Sequence, residues 1–209
     1  MRKRRVVFDL DGTLLTGDFS LESEYFCDVF REKADILNEK IGGYLDEYER
    51  VYPKYDETLL SRFLSKKSGL IVTPNIIRGW IEIMKYVSDT MEDGVMNTLE
   101  FLKKENISLA VLTNWFGDTQ LHRLKRAGIL EYFDHVYTGE FVLKPHKNAY
   151  LSARDRFSNQ ECLFLGDNLE KDYMGPRDVY MESFLYDKND RFDKELVKIK
   201  RIDELIERY

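Results

Sequence analysis

From residue 96 onward the chain repeats helix, strand and helix in regular turn, and this succession restricts the fold more than any other feature of the sequence. Val95, Leu99 and Leu102 recur at helical spacing ahead of an apolar run over 107–113. Asp118 is read as the cap of a second helix that Gly128 ends, and a short strand follows over 135–138. Helices over 147–157 and 172–179 then alternate with strands over 162–165 and 183–186. Repeated βα units require a mainly parallel sheet, covered on both faces by helices and wound with right-handed crossovers. The expected class is α/β, a Rossmann-like doubly wound parallel sheet.

Residues 18–90 follow another rule, with apolar residues at helical spacing and no strand read among them. Leu21, Tyr25, Val29, Ile36 and Leu37 are read as one long helix stopped by Gly42-Gly43, and Leu59, Leu60, Phe63 and Leu64 mark another. Thr73 as N-cap and Pro74 at the first helical position open a helix whose stripe is Ile76, Ile77, Trp80, Met84 and Val87. The expected organisation is an α/β core formed by 1–17 and 91–209, with an inserted all-helical unit over 18–90. A strand over 197–199 and a last helix capped by Asp203, burying Leu205 and Ile206, close the core.

The 209 residues are 43% hydrophobic and 33% charged, a globular composition able to bury a core. A net charge of −6 argues against broad nucleic-acid binding, which needs a basic face. The basic start Met1-Arg2-Lys3-Arg4-Arg5 leads straight into the first strand candidate, and no stretch approaches the roughly 18 apolar residues of a membrane span. Two cysteines, Cys27 and Cys162, make neither a disulfide framework nor a thiolate metal site, so a reducing compartment is expected.

In Val6-Val7-Phe8-Asp9-Leu10-Asp11-Gly12-Thr13, an apolar run delivers two carboxylates, two positions apart, to the glycine that ends it. Side chains alternate along a strand, so Asp9 and Asp11 leave on one side, and ligands of open α/β sheets sit beyond the strands' carboxyl ends. Converging carboxylates repel unless a cation or shared proton relieves them. An acidic turn is the plainer reading of this string alone. Three further strand ends add to it: Thr113-Asn114 offers a hydroxyl and an amide, Lys144-Pro145 a lysine, and Gly166-Asp167-Asn168 another carboxylate, with Asp172 close behind. Clustered carboxylates suit Mg²⁺, which also takes substrate phosphate oxygens, while a lysine and small donors hold the oxygens left over. The chain has no GxxxxGK(S/T) loop for a nucleoside triphosphate and no HExxH or Cys/His cluster for zinc.

In this order DLDGT, Thr113-Asn114, Lys144-Pro145 and GDNLEKD resemble the four motifs of the haloacid dehalogenase (HAD) superfamily. The resemblance covers the α/β core at both ends of the chain, and the segment over 18–90 is similar to the helical cap domain inserted between the first and second motifs. It implies a Mg²⁺-dependent phosphatase acting on a small phosphomonoester. Asp9 would be the nucleophile that forms an aspartyl-phosphate, splitting hydrolysis into two displacements. Asp11 would be the general acid/base for the leaving group and then for water. Mg²⁺ would be held by the Asp9 side chain, the Asp11 backbone carbonyl and Asp167, with Asp172 supporting it from behind. Thr113 and Asn114 would hold phosphate oxygens, and Lys144 would pair with both the phosphate and Asp9. The expected partner is a small phosphorylated metabolite, with no nucleic acid and no membrane, in the cytoplasm.

Alternatives remain at this stage. A phosphomutase shares the core and returns the phosphoryl group to a sugar. A non-catalytic binding module would be expected to lose Asp9 or Asp167, and a dehalogenase has no use for the acid/base that Asp11 offers. A phosphonatase would need a lysine from the helical unit, for which Lys54 and Lys66 stay open. Asp172 is either a helix cap or metal support. Trp115 and Phe116 either pack beneath the helical unit or touch the leaving group, and Tyr44, Tyr48, Tyr52 and Tyr55 are read as packing. Lys54, Arg62, Lys66, Lys67 and Arg78 are solvated or recognise an anionic substrate. His146 is read as a surface residue, and neither His122 nor His135 as a general base. Tyr180 stands where the family usually has glycine, which predicts strain or an altered helix end.

Overall fold

A computed structural model describes residues 4–208, so Met1 and the basic Arg2 and Lys3, like Tyr209, lie outside the described residues. The main sheet holds β1 (Arg5–Phe8), β4 (Ser108–Leu112), β5 (His135–Tyr137), β6 (Cys162–Gly166), β7 (Glu182–Tyr186) and β8 (Lys198–Ile199), ordered β5-β4-β1-β6-β7-β8. Every pairing in it is parallel. β1 is central, with Arg5 opposite Ser108 on one side and Cys162 on the other. Its alternation sorts Val6 and Phe8 into one hydrophobic cluster with Leu109, Val111, Leu163 and Leu165, and Val7 into another with Ala110, Leu112 and Phe164. Each of these buried β1 side chains contributes roughly 1.5–3 kcal/mol.

Helices cover both faces, as the βα succession requires. α6 (Val95–Lys104) packs Leu99 and Leu102 on the first cluster, and α8 (Lys147–Arg154) packs Ala149, Tyr150 and Ala153 on the second. α7 (Gly117–Arg126) follows β4, and α9 (Gly175–Arg177) precedes β7. Asp118 lies inside the first turn of α7 and pairs with Lys85 at 2.5 Å, so it does not cap that helix. The helix read over 172–179 begins earlier, as a π-helical turn over Leu169–Met174 capped by Asn168, whose Oδ1 accepts from the Glu170 and Lys171 amides. Asp172 is therefore not a cap. Asp203 likewise lies within the 3-10 turns of Ile202–Arg208, which bury Ile202 and Leu205.

The helical segment has its own core, built by α1 (Ser20–Phe30), α2 (Asp35–Asn38), α3 (Ile41–Val51), α4 (Glu57–Ser68) and α5 (Pro74–Met84) around Phe26, Leu37, Tyr48, Leu60, Ile77 and Trp80. Thr73 caps α5 by accepting from the Ile76 amide, with Pro74 in the first turn. The long helix expected from Leu21 to Leu37 is broken at Arg31, whose φ of 53° ends α1. Its apolar period runs on through the break, which is why spacing alone missed it. Gly42 and Gly43 do not stop a helix but sit in the first turn of α3, where burial of Ile41 and Tyr48 offsets a cost of about 1 kcal/mol per glycine.

β2 (Leu15–Asp18) and β3 (Ser88–Met91) form an antiparallel ribbon, with Leu15 opposite Met91 and Gly17 opposite Asp89, where no strand was read over 18–90. Both strands are four residues long and mostly polar, too short for periodicity to register. Tyr180 adopts φ 63° and is exposed, the strained helix end its position predicts. Neither Cys27 nor Cys162 forms a disulfide among the described residues, and among them no helix is long and apolar enough to cross a membrane.

Candidate active site

Because all the strands of the main sheet run the same way, the ends of β1, β4 and β6 meet at one rim, and Lys144 reaches it from the loop after β5. Asp9 follows β1 and is buried; Lys144, also buried, donates from Nζ to Asp9 Oδ1 at 2.6 Å and to Asp172 Oδ1 at 2.7 Å. The other Asp172 oxygen accepts from the Asn168 amide at 3.0 Å. Carboxylate oxygens of Asp9, Asp167 and Asp172 lie within 4.8 Å of one another. Two glycines permit this crowding: a Cβ on Gly12, at φ 80°, would lie 2.8 Å from Asp167 Oδ2, and one on Gly166 would lie 2.4 Å from Asp172 Cγ.

Burial pushes the Asp9 carboxyl well above its usual range, with Asp172 and Asp167 adding to the rise and Lys144 opposing it. Burial and Asp172 likewise raise Asp167 to about 6. Burial opposes the Lys144 charge, but Asp172 and Asp9 more than restore it and hold the lysine protonated. One ammonium thus faces three carboxylates, with Arg191 only at the edge, 3.9 Å from Asp167 Oδ2, and the remaining excess of carboxylates favours a cation. With both Asp172 oxygens engaged, the open donors are those of Asp9 and Asp167, a hard oxygen set of the kind Mg²⁺ takes.

Thr113 is buried, and its Oγ1 accepts from Gln120 Nε2 at 2.8 Å. Asn114 holds the Lys144 backbone from both sides: its Oδ1 accepts from the Lys144 amide and its Nδ2 donates to the Lys144 carbonyl, each at 2.8 Å. Asp11 turns to α7, where Gln120 Nε2 donates to its Oδ2 at 2.9 Å and Arg123 pairs with its Oδ1 at 2.6 Å. The buried Arg123 also pairs with Asp89 of the ribbon at 2.6 Å. Neither Gln120 nor Arg123 was singled out from the sequence. Their signal was two polar residues three apart on the helix that follows Thr113-Asn114, on a face the helix buries.

The helical segment closes over this rim. Trp115 and Phe116 are buried in its core against Tyr55 and Trp80. Lys171 pairs with Asp46 and Glu49, and His146 Nε2 lies 2.8 Å from the Glu49 carbonyl oxygen, so His146 contacts the helical segment rather than solvent alone. A cavity of about 290 Å³ remains beside Asp11, Asn114, Trp115 and Arg123, facing Glu22 and Trp80 across the gap. Lys54, Arg62, Lys66, Lys67 and Arg78 are exposed and do not line it.

The family model that matches residues 3–179 is that of the haloacid dehalogenase-like hydrolases. The chain is 28% identical to ribulose-1,5-bisphosphate 5-phosphatase of Halopiger xanaduensis over 90% of this chain and 86% of that protein. It is 26% identical to pyrimidine 5'-nucleotidase YjjG of Escherichia coli over 81% of this chain and 80% of that one. Its fold resembles that of the Bacillus subtilis HAD-hydrolase YfnB, with TM-score 0.70, 20% identity and coverage of 99% and 98% of the two chains. With a matching model over most of its length and the four motifs gathered at one rim, the chain belongs to the haloacid dehalogenase-like hydrolases.

Proposed function

We propose that this chain is a Mg²⁺-dependent phosphatase that hydrolyses a small phosphomonoester through an aspartyl-phosphate. The observation that carries the reading is the buried Lys144 bridging Asp9 and Asp172 beside Asp167, with Asp11 held apart by Gln120 and Arg123. Relatives named as a ribulose-1,5-bisphosphate 5-phosphatase and a pyrimidine 5'-nucleotidase support it.

Lys144 fixes Asp9 through Oδ1, leaving Oδ2 to attack phosphorus. As that bond forms, the ester P–O bond breaks, and Asp11, having taken up a proton and left its contacts with Gln120 and Arg123 when the substrate binds, gives that proton to the leaving oxygen. Water then gives a proton to Asp11 and attacks the phosphoryl group, releasing inorganic phosphate and the Asp9 carboxylate. Thr113 Oγ1 donates to a phosphate oxygen while accepting from Gln120, and Asn114 sets the position of Lys144. A Mg²⁺ held by Asp9, Asp167 and the Asp11 carbonyl would neutralise charge on the transferring group. The segment over 18–90 serves as the cap that excludes water, and its buried contact with Trp115 and Phe116 supports that role. Two cysteines that form no disulfide among the described residues fit a reducing compartment such as the cytoplasm.

Asp9→Asn keeps the size of the side chain and removes the nucleophile. It is expected to abolish Mg²⁺-dependent hydrolysis of phenyl phosphate while leaving the circular dichroism spectrum intact. Unchanged turnover would refute the mechanism.

A further inference from the structure

The cavity beside Asp11 has walls that are mostly apolar, formed by Trp80, Met84 and Trp115, and at about 290 Å³ it is at the small end for a ligand site. Three charged side chains line it: Asp11, Glu22 and Arg123. Arg123 already pairs with Asp11 and Asp89, so no free cation faces the space among the described residues. Glu22 comes from α1 on the opposite wall, where Trp80 Nε1 donates to its Oε2 at 3.0 Å. Among the described residues its Oε1 has no hydrogen-bond partner.

A group leaving toward Asp11 enters this cavity and meets Glu22. We propose that Glu22 is a specificity-determining residue: the site accepts monoesters whose leaving group is small, uncharged and able to donate a hydrogen bond to Oε1, and rejects those bearing a second anion. This rests on the phosphatase reading above and narrows it to one substrate class. It separates the chain from its Halopiger relative, whose named substrate carries two phosphates. Burial raises the Glu22 carboxyl to about 7, against the hydrogen bond from Trp80, so the carboxylate is already poorly solvated before any ligand arrives. A second anion brought against it would worsen that state, whereas a donor would relieve it.

The test uses the full chain with Mg²⁺ at pH 8 and three probes: phenyl phosphate, 4-carbamoylphenyl phosphate and 4-carboxyphenyl phosphate. The last two have similar shape and differ in charge and in a donated hydrogen bond. Wild type is expected to favour the carbamoyl over the carboxy ester in kcat/KM by about tenfold or more, since like charges juxtaposed at a binding site cost at least that much. In Glu22→Gln the ratio is expected to fall to about threefold or less, because the repulsive charge is gone. Each ratio is taken within one protein preparation, so a partly folded variant does not distort it. A wild-type ratio near one, or a ratio unchanged in the variant, would overturn the assignment and leave the phosphatase reading standing. Absence of turnover with all three probes would remove that reading, and the specificity with it.

Discussion

Replacing Glu22 with glutamine separates the cost of its buried charge from every other titration in the molecule. The carboxyl moves from an ordinary 4.5 to about 7 on folding, chiefly because burial disfavours the charged form. The folded state therefore holds the proton more tightly than the unfolded chain does, and stability falls as pH rises from 4.5 through 7. At about 1.36 kcal/mol per pH unit the full effect is about 3 kcal/mol. Solvent at the cavity mouth screens part of this, leaving about 2 kcal/mol between pH 5 and pH 8. Glutamine does not titrate, and its carbonyl oxygen can still accept from Trp80 Nε1. Urea unfolding of both proteins at the two pH values measures the difference. At a slope of about 2 kcal/mol per molar urea, the midpoint of the variant should gain about 1 M on wild type between pH 5 and pH 8. The Asp9 and Asp167 titrations are common to both proteins and cancel. Parallel pH dependence of the two midpoints, or a variant that loses ground at pH 8, would refute the reasoning.

Two further outcomes are expected. Because burial and Asp172 raise Asp167 to about 6, burial raises Asp9 as well, and a metal needs both ionised carboxylates, apparent Mg²⁺ affinity should fall by at least about tenfold per unit below pH 6. Calorimetric titration at pH 5, 6 and 8 checks this, and a flat affinity would contradict it. Arg123→Met leaves Asp11 and Asp89 without their shared cation and should destabilise the protein by about 3 kcal/mol, a melting-temperature loss of about 6–12 °C by calorimetry.

Much of the sheet and the rim was legible because both rest on local pattern. β1, β4 and β6 are apolar runs closed by chemistry-bearing residues, and a parallel sheet brings such ends together whatever lies between them. The break at Arg31 was not legible, since the apolar period of α1 continues across it into α2. Nor was the β2 and β3 ribbon, whose partners stand 70–76 residues apart and whose pairing is a property of the closed fold. At the site, Asp9, Lys144, Asp167 and Asp172 could be named from strand ends. Gln120, Arg123 and Glu22 could not, because each gains its role from a neighbour distant in sequence: Asp11, Asp89 or Trp80. Asn114 shows the intermediate case, its place foreseen and its hold on the Lys144 backbone visible only in three dimensions.

The ribbon bears on variation as well as on folding. Since Leu15 and Met91 are cross-strand partners, the chain leaves the core and returns to it at points about 5 Å apart. A stretch that leaves and rejoins the core at adjoining points can vary in length without moving a strand of the main sheet, so long as Asp89 still meets Arg123. Glu22 and Trp80 lie inside that stretch, while Asp9, Lys144 and Asp167 lie outside it. A change confined to that stretch therefore reshapes the cavity walls at Glu22 and Trp80 while leaving Asp9, Lys144 and Asp167 in place.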